Sequence, residues 1–338
     1  MRGIIDMHCD TISALYDKEK AGELVSLREN TGHVDLCRMK SSGYILQNFA
    51  LFVEKEKNGN PWDRVLELAE FYREQLKQNR DMIAPVFCYG DIAANEAAGK
   101  LSALLTVEEG GVCGGEMEKL HTLYALGVRM LTLTWNYPNE LGFPHHYRAE
   151  ESFKGTGNFR EIKKETENAG SGLTKKGREF VVEMERMGMI PDVSHLSDAG
   201  FYDVLALTRK PFVASHSNAR SVCAHSRNLT DDMIRRLAER GGCMGLNFYT
   251  RFLADSAGKE KPDYLAAALE HAKHIVKVGG IEVLGLGSDF DGIDTNEALP
   301  GAQSMGILWD TLKSASFTES QLDKIFCGNV LRVYRECL

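Results

Sequence analysis

His8, Asp10, Glu109, His195, His216 and Asp289 are the residue types of a divalent-metal centre, and each stands where a short apolar run of the sequence ends. Three imidazoles with carboxylates suit a borderline divalent cation, zinc first among them. Five such ligands exceed what one tetrahedral zinc with an open position can use. They suit two ions that share a bridging carboxylate and a bridging hydroxide. A pair of this kind generates a nucleophile near neutral pH and polarises a carbonyl oxygen. A further carboxylate beside it can manage protons. The chemistry is metal-assisted hydrolysis.

Eight apolar runs must position these side chains, at residues 3–7, 44–53, 101–107, 128–135, 189–195, 211–216, 243–248 and 283–289. Amphipathic helical stretches separate them, and several close on a glycine (Gly127, Gly188, Gly241) just before the next run. Near-continuous apolar strands alternating with helices predict an α/β fold, a (β/α)8 TIM-type barrel whose active site lies at the C-terminal ends of the strands, with an open doubly wound sheet as the alternative on pattern alone. With no linker or low-complexity tract, the sequence is expected to form one barrel domain over residues 1–338. Alternation along the first strand predicts that His8 and Asp10 enter the barrel mouth and that Met7 and Cys9 face the helices. Asp6 is expected on the same side as His8, but deeper, supporting the site or the fold and not binding metal itself. The polar, irregular stretch 137–172 follows the fourth strand and reads as a surface insertion, a lid or a subunit contact.

A net charge of −8 argues against a nucleic-acid partner, which calls for a basic stripe. No export signal or bilayer-length apolar run is evident, so no membrane partner is expected. The eight cysteines are scattered without a C-x-x-C pair and read as reduced thiols in a cytoplasmic protein.

The motifs "DMHCD", "VEEGG", "GVRMLTLTWN", "GMIPDVSHLS", "PFVASHSNARSVCAHSRNLTDDMIR", "GLNFY" and "GLGSDFDGI" occur in this order along nearly the whole chain. Together they resemble the renal (membrane) dipeptidase family of dinuclear zinc peptidases in the metal-dependent hydrolase superfamily. The resemblance implies a dipeptidase that cleaves dipeptides carrying a free C-terminal carboxylate, through a metal-bridging hydroxide. It implies that two Zn2+ bind per chain, one at His8 and Asp10 and one at His195 and His216. Glu109 would bridge them, taken in preference to Glu108 because the family glutamate directly precedes two glycines. Asp289 corresponds to the residue that handles protons, and Asp291 reads as a turn residue. Arg227 corresponds to the arginine that fixes the substrate carboxylate, which a planar guanidinium fork suits. Tyr249 lines the same pocket. The partner is then a small dipeptide, with a homodimer as the assembly in view.

One position departs from the family. Trp135, followed by Asn136, stands where the characterised dipeptidases carry a histidine after "LTLT", and an indole offers one N–H and no titratable proton. Trp135 and Asn136 are therefore expected at the substrate, with Asn136 a candidate donor to the oxyanion. His145 and His146 in the following loop read as exposed, an inward fold being the alternative. The departure motivates a second expectation, a metal-dependent amidohydrolase of N-acyl amino acids, cyclic amides or lactones. A barrel that binds metal or peptide without catalysis is the third.

Overall fold

The computed structural model describes residues 2–55, 57, 59–145, 172–255 and 262–338. Nine parallel strands form the sheet: β1 (Ile4–Cys9), β2 (Tyr44–Phe52), β3 (Ile83–Pro85), β4 (Leu101–Glu108), β5 (Val128–Thr132), β6 (Ile190–Asp192), β7 (Val213–Ala214), β8 (Cys243–Leu246) and β9 (Leu284–Leu286). Pairing runs β2-β1-β9-β8-β7-β6-β5-β4, and β2 also pairs with β4, which closes an eight-stranded barrel. This is the expected (β/α)8 architecture. The ninth strand, β3, was not expected. It is three residues long and pairs with the first three residues of β4, Ile83 opposite Leu101, below the point where β5 takes over at Leu105.

Helices cover the barrel because their apolar faces repeat at helical spacing and their ends are capped. Pro61–Gln78 starts at Asn60, whose side chain accepts from Trp62 N. Lys175–Met187 starts at Thr174 and ends on Gly188 in the left-handed region, φ 81°. The larger apolar cluster lies between strands and helices and includes Phe49, Leu105, Phe180 and Leu286. A second cluster gathers Met7, Leu104, Met130 and Ile190 with Tyr334 of the C-terminal helix Asn329–Cys337. Leu104, Met130 and Ile190 share strand faces with Glu108, Thr132 and Asp192, so this cluster fills the barrel beneath the site.

The first strand departs from simple alternation. Asp6 pairs with Gln47 and Cys9 with Phe49, so three steps on β1 oppose two on β2. This bulge shifts the phase of the side chains. His8 and Asp10 reach the mouth and Cys9 joins the outer cluster, as expected. Met7 packs into the inner cluster instead, correcting the expectation that it faces the helices. Asp6 binds in the wall between β1 and β9, where its carboxylate accepts from Ser288 N (2.9 Å), Ser288 Oγ (2.6 Å) and His8 N (3.3 Å). It does not lie beneath His8 as a deeper member of the same face.

Residues 137–145 run along the barrel mouth, and the remainder of the 137–172 loop through residue 171, including His146, lies outside the described residues.

Candidate active site

The ends of five barrel strands bring six ionisable side chains together at the mouth. His8 and Asp10 come from the end of β1, Glu108 is the last residue of β4, and His195, His216 and Asp289 stand two or three residues beyond β6, β7 and β9. His195 and Asp289 adopt left-handed backbone conformations (φ 67° and 66°), which L-residues seldom take. These turns let side chains beyond the strands point back over the barrel. Gly292 gives the cluster room, because a Cβ there would lie 2.0 Å from Asp10 Oδ2.

Glu108 is at the centre. Its Oε2 faces His8 Nε2 at 3.3 Å, and its Oε1 faces His195 Nε2 at 3.0 Å and His216 Nε2 at 3.6 Å. His8 Nε2 is also 3.5 Å from Asp10 Oδ2 and 3.8 Å from Asp289 Oδ1. Two trios, His8–Glu108–His216 and His8–Asp10–Asp289, each place three potential ligand atoms within 4.8 Å of one another. All six side chains are buried.

Glu109 does not join them, which corrects its expected place in the cluster. Its carboxylate accepts from Asn139 Nδ2 (2.6 Å), Gly111 N (2.7 Å) and Trp135 N (2.9 Å) in the wall behind. Two physical facts decide between the glutamates. Strand alternation puts Leu104, Thr106 and Glu108 on one face. Glu109 then has φ 101°, a backbone conformation that favours glycine. Glu108, not Glu109, therefore occupies the position at the cluster expected of the glutamate before the glycines.

Neighbours fix the imidazoles. Ser215 Oγ gives its proton to Asp192 Oδ2 (2.6 Å), so it accepts from His216 Nδ1 at 2.7 Å. Asn136 Oδ1, a carbonyl oxygen, lies 2.9 Å from His195 Nδ1. Both imidazoles are thus held with the proton on Nδ1 and the Nε2 lone pair toward Glu108. Those two Nε2 atoms lie only 2.9 Å apart. Facing lone pairs beside a carboxylate call for a cation. His8 Nε2 and Asp10 Oδ1 are buried without hydrogen-bond partners, which points the same way. The donor set therefore fits divalent metal.

Charge crowding appears in the titration of the cluster itself. Burial pushes Glu108 up to about 7, opposed by His8 and reinforced by Asp10. Burial raises Asp289 in the same way, again opposed by His8 and reinforced by Asp10. Burial works against a charged His8, yet Glu108 and Asp10 hold it well above the ordinary imidazole range. Burial, His8 and Arg227 keep His216 well below that range.

The cluster opens on a cavity of about 460 Å³ that Trp135, Asn136, Tyr249 and Asp289 help to line. Trp135 lies between Phe52, which it meets edge-on (4.9 Å), and Tyr137, whose ring is tilted by 60° (5.4 Å). Arg227 lies on the floor of an adjoining cavity, buried. Its guanidinium donates to Ser217 Oγ (3.2 Å) and His216 O (3.1 Å), while Nε has no partner. Burial lowers its pKa to about 10, which leaves it charged at neutral pH. His145 is half-buried: its backbone N–H donates to His195 O (2.7 Å), its ring lies 6.3 Å from that of His195, and its Nδ1 is 2.7 Å from Ser226 Oγ on the exposed side. Asp291 lies at the edge of the cavity in a left-handed turn (φ 67°), where it accepts from Thr11 Oγ1 (2.6 Å) and His33 N (2.7 Å).

Three residues that the sequence did not single out orient the cluster and the wall behind it. Asp192 accepts from Thr132 Oγ1, Ser215 Oγ, Ser215 N and Ser194 N, anchoring the turn that presents His216. Asn247 Nδ2 donates to Asp289 Oδ2 at 2.9 Å. Asn139 holds Glu109. A carboxylate in an apolar strand, as in "IPDV", is the one signal that could have marked Asp192.

Comparison with known proteins agrees with this geometry. The family model for membrane dipeptidase, peptidase family M19, matches residues 2–337. An uncharacterized dipeptidase of Schizosaccharomyces pombe is 32% identical, covering 90% of this chain and 72% of that protein. Dipeptidase aclJ of Aspergillus oryzae is 29% identical over 89% of this chain and 69% of its own length. A metallo peptidase from Rhodobacter sphaeroides, solved with a phosphinate mimic of the dipeptide L-Ala-D-Ala, superposes with a TM-score of 0.86 at 26% identity, over 99% of both chains. Dipeptidase AC, an M19 metallo peptidase, gives the same TM-score at 27% identity, over 99% of this chain and 98% of its own. The chain belongs to the membrane dipeptidase family, peptidase family M19, and is a hydrolase of its metallo-dipeptidase kind.

Proposed function

We propose that this protein is a zinc-dependent dipeptidase that cleaves dipeptides with a free C-terminal carboxylate. The observation that carries this is the two-sided Glu108 carboxylate, one oxygen toward His8 and the other toward His195 and His216. His8, Asp10 and Glu108 would hold one cation, and Glu108, His195 and His216 the other. Two bound zinc ions would polarise the scissile carbonyl and lower the pKa of water at the site.

The protein's own side chains do the rest. Arg227, which lines the adjoining cavity and stays charged, binds the terminal carboxylate there. Asp289 presents Oδ1 to the reaction, since Oδ2 is taken by Asn247. That oxygen accepts the proton of the attacking water and returns it to the leaving amine nitrogen as the C–N bond breaks. Asn136 orients His195, and Trp135 and Tyr249 wall the substrate. The mimic bound to the Rhodobacter sphaeroides relative supports a dipeptide as the substrate. The described helices include none long and apolar enough to cross a membrane, and eight free cysteines support a cytoplasmic setting.

Trp135 in the place of the family histidine gives hydrolysis of N-acyl amino acids or lactones as the competing activity. The test is turnover by zinc-reconstituted protein of alanyl dipeptides, with L- and D-residues in second position, against N-acetylalanine and a lactone. Dipeptides are expected to be cleaved fastest. Faster hydrolysis of the N-acyl amino acid or lactone, or no cleavage of any dipeptide, overturns the proposal.

A further inference from the structure

A second cavity of about 430 Å³ opens off the first, sharing Asn136, His195, Tyr249 and Phe252 with it. The two are opposite in charge. The first is lined by Asp10, Glu108, Asp289, Asp291 and Asp294. Every ionisable side chain lining the second, apart from the phenols of Tyr137 and Tyr249, is basic among the described residues: His145, His195, His225, Arg227 and Arg251.

This chamber holds more positive charge than one terminal carboxylate needs. Arg227 alone offers the planar fork that a carboxylate takes. Arg251 is exposed and forms no ion pair among the described residues. It is nevertheless held beside the Arg227 segment. Its carbonyl accepts from Cys223 Sγ (3.4 Å), and the next carbonyl, of Phe252, accepts from Asn228 Nδ2 (2.9 Å). The rings of Tyr249 and Phe252, 4.8 Å apart, supply an apolar surface within the same cavity. A guanidinium at the rim, a second on the floor and an apolar wall match a side chain with a short methylene stem and a terminal carboxylate.

Resting on the dipeptidase assignment above, we propose that the second cavity receives the side chain of the C-terminal residue and selects an acidic one. Arg227 takes the main-chain carboxylate and Arg251 the side-chain carboxylate of aspartate or glutamate. The preferred substrates are dipeptides of the form Xaa-Asp and Xaa-Glu.

The test compares kcat/KM for Ala-Asp with Ala-Asn, and for Ala-Glu with Ala-Gln, in both configurations of the second residue. Each pair changes charge at nearly constant shape. Each ratio is taken within one zinc-loaded preparation, so differences in folded or metal-loaded fraction cancel. The acidic member is expected to be favoured at least about tenfold, as a charge-assisted hydrogen bond supplies. Arg251→Gln is expected to bring the ratio within about twofold of unity, and Arg251→Glu to invert it. If neutral dipeptides are cleaved while the wild-type ratio stays near one, or the ratio survives in both variants, the acidic selection is wrong and the dipeptidase assignment stands. If no dipeptide is cleaved, that assignment falls and the selection falls with it.

Discussion

Oε1 of Glu108 lies 3.0 Å from Nε2 of His195, while the carboxylate of the adjacent Glu109 accepts three hydrogen bonds in the wall behind. The two neighbours are therefore expected to respond differently to the same change. Glu108→Gln is expected to lower kcat/KM by more than about 100-fold, beyond what loss of an outer-sphere partner costs. Glu109→Gln is expected to lower stability by about 1–3 kcal/mol, through donors left poorly matched, and to retain most of the activity. Steady-state kinetics and urea unfolding of both variants check this. Equal loss of activity in the two would contradict the separation.

Arg227 is buried with Nε unpartnered, so its work is expected to be on the substrate. Arg227→Gln should reduce kcat/KM for a dipeptide by about 10- to 100-fold, the worth of a hydrogen bond to a charged group. A C-terminally amidated dipeptide should lose much less. The informative quantity is the acid-to-amide ratio, which is insensitive to the fraction of folded enzyme. Arg227→Lys keeps the charge but not the fork and should fall between. An acid-to-amide ratio unchanged in Arg227→Gln would remove Arg227 from carboxylate binding.

Asp192 acts through Ser215 on the tautomer of His216. Asp192→Asn places an amide where a carboxylate accepts four donors, so the hydroxyl of Ser215 loses its fixed orientation. Zinc affinity is expected to drop by about 10- to 100-fold, as for other partners of metal-binding histidines. Competition with a chromophoric chelator measures it. Unaltered affinity would show that His216 holds its tautomer without Asp192.

His271 provides a pH dependence away from the metal cluster. Burial lowers its pKa to about 4; Nδ1 accepts from Ala219 N (3.1 Å) and Nε2 faces Leu253 O (3.0 Å). The folded state therefore holds the neutral imidazole, while an unfolded chain titrates near pH 6.5. Above that value neither state binds the proton and the full stability is present. As pH falls from about 6.5 to about 4, the unfolded state alone takes up the proton, and about 3 kcal/mol is lost. The stability advantage of wild type over His271→Asn should shrink by about 2 kcal/mol between about pH 7.5 and about pH 5. Urea unfolding at the two values checks it, and a constant difference would contradict it.

The strand ends were legible because each barrel strand is an apolar run that stops at a polar residue, and the closed barrel followed from their number. β3 was hidden by its three-residue length and its proline. The bulge at β1 is a matter of pairing register with β2, which no local pattern records, so Asp6 and Met7 were placed on the wrong sides. Five of the six residues that meet at the mouth were named in advance. The sixth turned on two adjacent glutamates. Counting alternate positions along β4 from Leu104 would have chosen Glu108, whereas motif matching chose its neighbour. Asp192, Asn247 and Asn139 escaped because they act through other residues, and their spacing to those partners exists only in the folded chain.

A titration of metal-free protein with zinc, following cleavage of an alanyl dipeptide, tests the shared Glu108 site most directly. Activity is expected to rise to a plateau at two zinc ions per chain, with Glu108→Gln inactive throughout. Absence of dipeptide cleavage at any zinc loading, or full activity in Glu108→Gln, would contradict it.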